Sequence, residues 1–583
     1  MTEYFEVVDR DGAARRGTIR LSDPRRTPGL VDDVLADGDS QWTQSRAVPE
    51  GDESTLTILP HRAFPPGTDD RVAGAFNVAP QRVDYPNAVV ISPATADDRG
   101  ADAYVLGGAA GYVGHAEAFV DALLSVRLAI PDDTALYLPG VATPGNIATL
   151  AYAGVDLFDE KRARARGLEG FYLTSDGEEF LEDLEELPCP CEACRTPRDE
   201  FTRKDCADHN AAALRAQLAT VRHRIDSGRL REYVEGQARH EAWLTATFRR
   251  LDKQYGYLEE RTPMFRRGEL LAATEDALRR VEIQRFAERV TSRYRRRLDA
   301  PLVLVPCSAR KPYSDSQSHR QFSRAIGYRA HVVSMTSPIG VVPNELETTY
   351  PAQHYDSVVT GEWSETEIEF VASVLARYLE RADYDRHVAH VPPGGYREIC
   401  ARVTDSTGIE FEYTVEDHPT TPDSLSNLDA ALEGESSYPK SARESATVRA
   451  IADFQFGEAA GDVLFDDIQI GGRYPSFRVA DAAGEQLATM VPQYGSLSFT
   501  LAGARTWVER DVPTKRVRID DFVPSGSVLA PGVVDADATI RPGDEVVVEG
   551  PSAFGVGRAT CHGVAMVEST RGIVVDVRHV ELL

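Results

Sequence analysis

Residues 306–319 read Pro-Cys-Ser-Ala-Arg-Lys-Pro-Tyr-Ser-Asp-Ser-Gln-Ser-His, and they follow directly on the apolar run 301–305. The stretch gathers a thiol (Cys307), an amine (Lys311), a phenol (Tyr313), hydroxyls (Ser314, Ser316, Ser318) and an imidazole (His319) at the mouth of an expected strand. A cysteine becomes a nucleophile when a nearby cation lowers its pKa, and Arg310, Lys311 and His319 are close enough in sequence to be that cation. The competing reading is a plain buried thiol at a strand end. A second concentration of ligating groups is Cys189, Cys191 and Cys194, in a C-x-C-x2-C run, followed by His209. Three thiolates and one imidazole are the set that tetrahedral zinc prefers. The spacing brings three sulfurs onto one loop, the histidine returns from the start of the next helix, and Cys206 competes for the fourth place. Such a set leaves no open coordination position, so the expected zinc is structural.

The elements that must position these groups follow from hydrophobic patterning. Short apolar runs at 88–91, 103–106 and 135–138 alternate with helical stretches such as 115–127, which argues for an α/β domain. Gly-Gly-Ala-Ala-Gly at 107–111 lacks the Gly-Lys-Ser/Thr ending of a phosphate loop and reads as a tight strand-to-helix turn. From 209 to 297 the pattern is long, charged and helical. A new α/β block opens at Leu302 and continues through 331–333 and 387–392, with a helix at 366–381, which favours a parallel sheet. The segment 416–445, rich in Pro, Ser, Asp and Glu, reads as a linker or solvated loop. Beyond it come short strands, including 544–548, and no internal repeat.

Composition bounds the function classes. A chain of 583 residues suggests three to five domains. It contains neither an apolar run near the ~20 residues of a membrane span nor a cationic, hydrophobic start, so a cytoplasmic protein is expected. Seven cysteines, three of them clustered, fit metal binding in a reduced compartment. The net charge of -28 argues against a nucleic-acid partner, because phosphate contacts need Lys and Arg. However, only six of the 64 basic residues are Lys, and such an arginine-based, carboxylate-rich surface resembles that of extreme halophiles. The other reading is an acidic protein from a high-GC genome. In molar salt the Debye length is about 3 Å, so global repulsion from RNA is screened and close contacts decide.

Written as PC-x3-KPY-x2-S-x2-H, the segment 306–319 resembles the signature of the archaeosine synthases, archaeal tRNA-modifying relatives of tRNA-guanine transglycosylase. The cysteine loop is similar to the transglycosylase zinc loop, whose histidine sits in a His-Asn pair opening a helix, as His209-Asn210 does. Gly-Val-Asp-Leu-Phe-Asp at 154–159 and the helical run 222–233 extend the match. In transglycosylases the second Asp of that hexapeptide is the nucleophile, and Asp159 holds its place. The partner motif Asp-Ser-Gly-Gly/Ser-Phe-Gln is missing, and the loop 38–42 (Gly-Asp-Ser-Gln-Trp) is no equivalent. A full (β/α)8 barrel needs roughly 250 residues, whereas 188 precede Cys189. The resemblance therefore implies an abbreviated barrel that has lost base exchange, with Asp159 a structural remnant.

Near the C-terminus, Lys515-Arg516-Val517-Arg518 and the glycine-bearing stretches 529–533, 541–546 and 555–559 resemble the PUA domain, a small RNA-gripping β-barrel. Arg516, Arg518 and Arg558 become candidate phosphate contacts, against the alternative of solvated arginines among Gly-Pro turns. The stretches 451–457 and 472–475 resemble the extra C-terminal domain of archaeal transglycosylases. The expected fold class is thus α/β. Residues 1–188 form a degenerate transglycosylase-like barrel, and 189–297 the zinc loop and helices completing it. An α/β catalytic domain with a parallel sheet covers 298–420, a small α+β domain 421–512, and a PUA β-barrel 513–583. The resemblance runs from about 85 to 583, and the first 80 residues carry no recognised motif.

The resemblance implies a tRNA substrate carrying 7-cyano-7-deazaguanine at position 15 of its D-arm, with the nitrile converted to the amidine of archaeosine. A thiolate adds to a nitrile carbon to give a thioimidate, which an amine resolves. Cys307 is the expected nucleophile, Lys311 or His319 its activator, and Tyr313, Ser314, Ser316 and Ser318 hydrogen-bonding groups. Direct attack by a bound amine would need no covalent step. The expected nitrogen donor is a small amino acid, glutamine or lysine, with a radical enzyme partner where lysine is attached. Glu345 or Glu347 can pair with the donor's amino group, or belong to an exposed acidic loop. A homodimer and no membrane partner complete the expectation. Two alternatives compete: a transglycosylase using Asp159, and a noncatalytic tRNA-binding protein.

Overall fold

The computed structural model describes residues 3–37, 48–59, 68–75, 82–358 and 362–583, so the loop 38–42 lies outside the described residues. The chain divides into two compact units. The first comprises Met1–Pro263 with Ser527–Pro542 and Thr560–Val575, and the second Met264–Gly526 with Gly543–Ala559 and Asp576–Leu583. Among the described residues no helix is long and apolar enough to cross a membrane.

The first unit is built on a seven-stranded sheet whose strands, in spatial order, are Gly29–Leu30, Leu157–Phe158, Ala135–Tyr137, Ala103–Leu106, Asn87–Ile91, Leu56–Ile58 and Leu35–Asp37. Neighbouring strands run parallel. Because side chains alternate across a strand, Ala88, Val90, Ala103, Val105, Ala135 and Tyr137 share one buried face and one core cluster. The other face buries Ile91, Tyr104, Leu106 and Leu136, as expected of a parallel sheet covered on both sides. The expected helix at 115–127 is Ala116–Ala129. The glycine-rich turn ahead of it carries Gly108 at φ 72°, where a side chain would be strained. The helical run after the cysteine loop is observed as Arg203–Asp226, Leu230–Gln237, Ala242–Asp252 and Tyr255–Arg261. Gly167 lets Lys161–Leu168 pack against Arg203–Asp226, since a Cβ there would come within 2.4 Å of the Ala207 backbone.

In the second unit, strands Leu302–Pro306, His331–Thr336, His387–Ala389 and Glu412–Tyr413 run parallel, and Gly340–Pro343 closes one edge antiparallel. Leu302–Pro306 is central and buried throughout, which is why it reads as a continuous apolar run. The helix Glu365–Arg381 coincides with the expected 366–381 and opens with a Ser364/Glu367 capping box.

Residues 416–445, expected to be a linker, instead contain the helix Pro422–Ala431 and the start of Lys440–Phe456. Thr421 caps the former, Pro422 follows at the first helical position, and Leu425, Leu428 and Leu432 carry an apolar stripe onto Phe322 and Ile326. The linker reading failed because polar composition masked that spacing. A four-stranded antiparallel sheet (Ile468–Arg473, Ser476–Asp481, Gln486–Val491, Ser496–Phe499) follows. Next come the strand Arg516–Ile519 and the hairpin Glu545–Gly550 with Ala553–Ala559.

Candidate active site and metal centre

Cys307 follows the last residue of the central strand, Leu302–Pro306. Its backbone N–H donates to the Met335 carbonyl (3.2 Å), which ties the turn to the neighbouring strand. The thiol is half-buried, with Sγ 3.4 Å from the Tyr396 hydroxyl. Crevices at the carboxyl ends of parallel strands are where α/β sheets bind ligands.

Lys311 is half-buried. Its Nζ donates to the Tyr355 carbonyl (2.7 Å) and lies 3.7 Å from the centre of the Tyr355 ring. Burial lowers the ammonium pKa, and the nearby charges of Cys307 and Asp356 oppose that shift. Lys311 Nζ is thus anchored on the Tyr355 carbonyl, and its charge interacts with that of the thiol. Tyr313 is fully buried, its hydroxyl 2.7 Å from that of Tyr355, which in turn lies 2.7 Å from Thr336 Oγ1. Burial holds both phenols well above their ordinary range, so they serve the site as neutral hydrogen-bonding groups.

His319 sits in the first turn of the helix Gln317–Ile326, with Nε2 3.0 Å from the Pro306 carbonyl and its ring stacked on Tyr313. Burial pushes its pKa down to about 4, so the imidazole is neutral at physiological pH and supplies no cation to the thiol. Ser316 caps the same helix by accepting from His319 N–H (3.1 Å). The backbone N–H of Ser314 donates to Glu347 (2.8 Å).

Glu345 and Glu347 are 7% and 2% exposed, so the exposed acidic loop is not what forms. Glu345 is committed to His331 (2.9 Å) and Tyr294 (3.4 Å). Glu347 takes neutral donors, Ser314 N–H and the Tyr474 hydroxyl (3.1 Å), and burial raises its pKa. It borders a cavity of about 460 Å³ also lined by Ser314, Glu345, Lys440, Arg443 and Glu444.

Two residues beside the thiol were absent from the sequence reading. Tyr355 lies on a three-residue strand, Tyr355–Ser357, too short to signal itself. Tyr396 opens the helix Gly395–Thr407 after Pro-Pro-Gly-Gly. That punctuation immediately after an apolar strand was the available signal for a sharp turn returning a side chain to the sheet.

In the first unit, Cys189, Cys191, Cys194 and His209 bring their ligand atoms within 4.8 Å of one another. His209 Nδ1 lies 3.5 Å from Cys191 Sγ and 3.3 Å from Cys194 Sγ, while its Nε2 meets the Leu173 carbonyl at 3.0 Å. That outer contact leaves Nδ1 directed at the sulfurs, the usual support of a metal-ligating histidine. Tyr172 stacks on the imidazole (3.7 Å, 9°), and Asn210 ties the helix to Leu173, Ala163 and Phe171. The four groups fit a tetrahedral metal. Cys206 stands apart, its thiol donating to the Phe171 carbonyl (3.4 Å).

Asp159 is 1% exposed and saturated: it accepts from the Tyr137 hydroxyl (2.7 Å), Gly140 N–H (2.8 Å) and Lys161 N–H (3.0 Å). Of the candidate RNA contacts, Arg518 is exposed, Arg516 pairs with Glu549 (3.2 Å), and Arg558 lies half-buried over Phe265 (4.6 Å).

Four family models match: queuine tRNA-ribosyltransferase over 83–242, a domain of unknown function (DUF5591) over 283–432, the patch-forming domain C2 of tRNA-guanine transglycosylase over 446–513, and the PUA domain over 516–580. Cys307 and Tyr396 both fall in the second of these. Among curated relatives, an archaeosine synthase from Haloferax volcanii is 63% identical over 583 residues, covering 100% of both chains. An archaeosine synthase subunit alpha from Methanosarcina acetivorans is 41% identical over 100% of both. An archaeosine synthase from Methanocaldococcus jannaschii is 29% identical over 78% of this chain and 76% of its own. The chain belongs to the archaeosine synthase family of tRNA-modifying transferases.

Proposed function

We propose that this protein converts the nitrile of 7-cyano-7-deazaguanine at position 15 of tRNA into the amidine of archaeosine, or into its lysine-adduct precursor, with Cys307 as nucleophile. The observation that carries the reading is a half-buried thiol at the carboxyl end of a central parallel strand, faced by Tyr396 and near the Lys311 ammonium. The sulfur adds to the nitrile carbon as its proton passes to the nitrile nitrogen, the amine of the donor attacks the thioimidate, and the sulfur leaves as the thiol.

The donor is a free amino acid, glutamine or lysine. Glu347, a buried carboxylate with neutral partners, supports an ammonium contact, and Lys440 and Arg443 on the same cavity wall suit the donor's carboxylate. Cys189, Cys191, Cys194 and His209 hold a structural zinc, which fixes the loop at the head of the long helix and takes no part in the chemistry. Arg516, Arg518 and Arg558 contact the tRNA backbone, a radical enzyme acts downstream where lysine is the donor, and the protein is a homodimer in the cytoplasm.

The test is incubation in high salt with tRNA bearing the nitrile and each candidate donor, followed by nucleoside mass analysis. An amidine or lysine adduct formed by the wild type and absent with Cys307→Ala supports the reading. An unchanged nitrile with every donor overturns it in favour of a tRNA-binding protein.

A further inference from the structure

Nitrile addition needs a proton as well as a nucleophile. As sulfur bonds to carbon, one π pair of the C≡N bond becomes a lone pair on nitrogen, and that nitrogen must be protonated for the thioimidate to form. The imidazole, phenol and amine of the 306–319 segment are each engaged elsewhere. His319 is neutral and turned to the Pro306 carbonyl, Tyr313 is locked against Tyr355, and Lys311 is anchored on the Tyr355 carbonyl. Tyr396, outside that segment, has its hydroxyl 3.4 Å from Cys307 Sγ.

Resting on the nucleophilic role of Cys307, we propose that Tyr396 is a catalytic residue that relays the thiol proton to the nitrile nitrogen. In the step, the Cys307 S–H gives its proton to the phenol oxygen while the phenol O–H gives its own to the nitrogen. The S–C bond forms, the C≡N bond becomes C=N–H, and Tyr396 is neutral before and after. No co-reactant is required.

The local structure suits a relay. Gly394 at φ 96° makes the left-handed turn that starts the helix, a conformation costly to a side chain, and so delivers Tyr396 in the helix's first turn. Trp363 packs on the Tyr396 ring (centroids 4.6 Å, 56°), and its side chain lies 3.4 Å from where a Cβ on Gly395 would stand. The phenol is thereby fixed in the half-buried layer that also holds the thiol. Burial, then the charge and hydrogen bond of Cys307, hold the Tyr396 phenol well above its ordinary value. A free phenolate is therefore disfavoured, and a concerted relay fits better than stepwise general-base action.

The experiment compares wild type, Tyr396→Phe and Cys307→Ala in two reactions. One is single-turnover adduct formation on nitrile-bearing tRNA with the donor withheld, and the other is alkylation of Cys307 by iodoacetamide, which displaces iodide and needs no proton delivered to the electrophile. The expected result for Tyr396→Phe is an adduct rate lower by roughly 10²-fold, with tRNA affinity and the alkylation rate each within about twofold. An adduct rate within about threefold of wild type, or an equal fall in both reactions, overturns the relay while leaving Cys307 as nucleophile. Full adduct formation by Cys307→Ala overturns the covalent reading itself. Should Tyr396→Phe melt early, fluorotyrosine at 396 keeps the shape and acidifies the phenol. The relay then predicts a changed pH dependence of adduct formation with unchanged alkylation, and an unchanged pH dependence overturns it.

Discussion

Two parallel sheets in this chain each carry a reactive side chain at the carboxyl end of a strand, and they treat it oppositely. In the first unit Asp159 is fully buried and holds three hydrogen bonds from Tyr137, Gly140 and Lys161. In the second, Cys307 is half-buried and touches a single phenol. A carboxylate whose lone pairs are occupied by fixed donors is a structural strut. A half-buried thiol facing one phenol has no such set of fixed donors. On the proposed reading, the transglycosylase-like sheet keeps the aspartate as structure, and the chemistry belongs to the sheet matched by the domain of unknown function.

The sharpest way to break this contrast is to exchange function for structure at the two sites. Cys307→Ala is expected to lower product formation by roughly 10³-fold or more with little change in melting temperature. Asp159→Asn is expected to leave turnover within about threefold and to cost about 1–3 kcal/mol of stability through its buried donors. Nucleoside mass analysis and thermal melting read both. A transglycosylase would reverse the pattern.

The metal centre sharpens the comparison within the first unit. Replacing Cys194 by Ala should remove zinc from the purified protein, as measured by elemental analysis, and lower the melting temperature by several degrees. Single-turnover chemistry at Cys307 should persist at temperatures where the variant stays folded. A zinc-free variant that is fully stable would contradict a structural role.

Acidification provides a third, smaller test, centred on the second sheet. Burial lowers His319, and likewise His390, which is buried between Thr414 Oγ1 (2.8 Å) and the Pro419 carbonyl (2.8 Å), to about 4, from an ordinary 6.5. The unfolded chain therefore takes up these protons first, so their contribution is complete above pH 6.5 and is lost as pH falls toward 4. The expected loss is about 1–3 kcal/mol per histidine, read by denaturant melts across that window, and His319→Gln should flatten the slope. The pH profile of activity should carry no His319 transition between pH 5 and 8.

The smallest effect concerns the helix hidden in the expected linker. Thr421→Ala removes its N-cap and should cost about 1 kcal/mol, visible as a small shift in denaturant midpoint. A solvated loop would show no change.

Much of this architecture was legible in the sequence because its elements obey simple periods. The buried strands read as apolar runs, and the three clustered cysteines come together with His209 as their spacing indicated. What escaped were features set by three-dimensional return. Pro422–Ala431 was hidden by polar composition around three leucines. Tyr396 is 89 residues from Cys307 and meets it only because strands Leu302–Pro306 and His387–Ala389 are neighbours. His319, adjacent in sequence, was expected at the thiol, but the first helical turn carries it to the Pro306 carbonyl instead.

The central claim is that Cys307 forms a covalent bond to the substrate nitrile. The direct measurement is denaturing electrophoresis and mass analysis of the protein after mixing with nitrile-bearing tRNA in the absence of donor. A protein–tRNA adduct on the peptide containing Cys307 is expected, lost with Cys307→Ala and discharged on adding the amino-acid donor. Full turnover with no adduct at any time, together with an active Cys307→Ala, would contradict it.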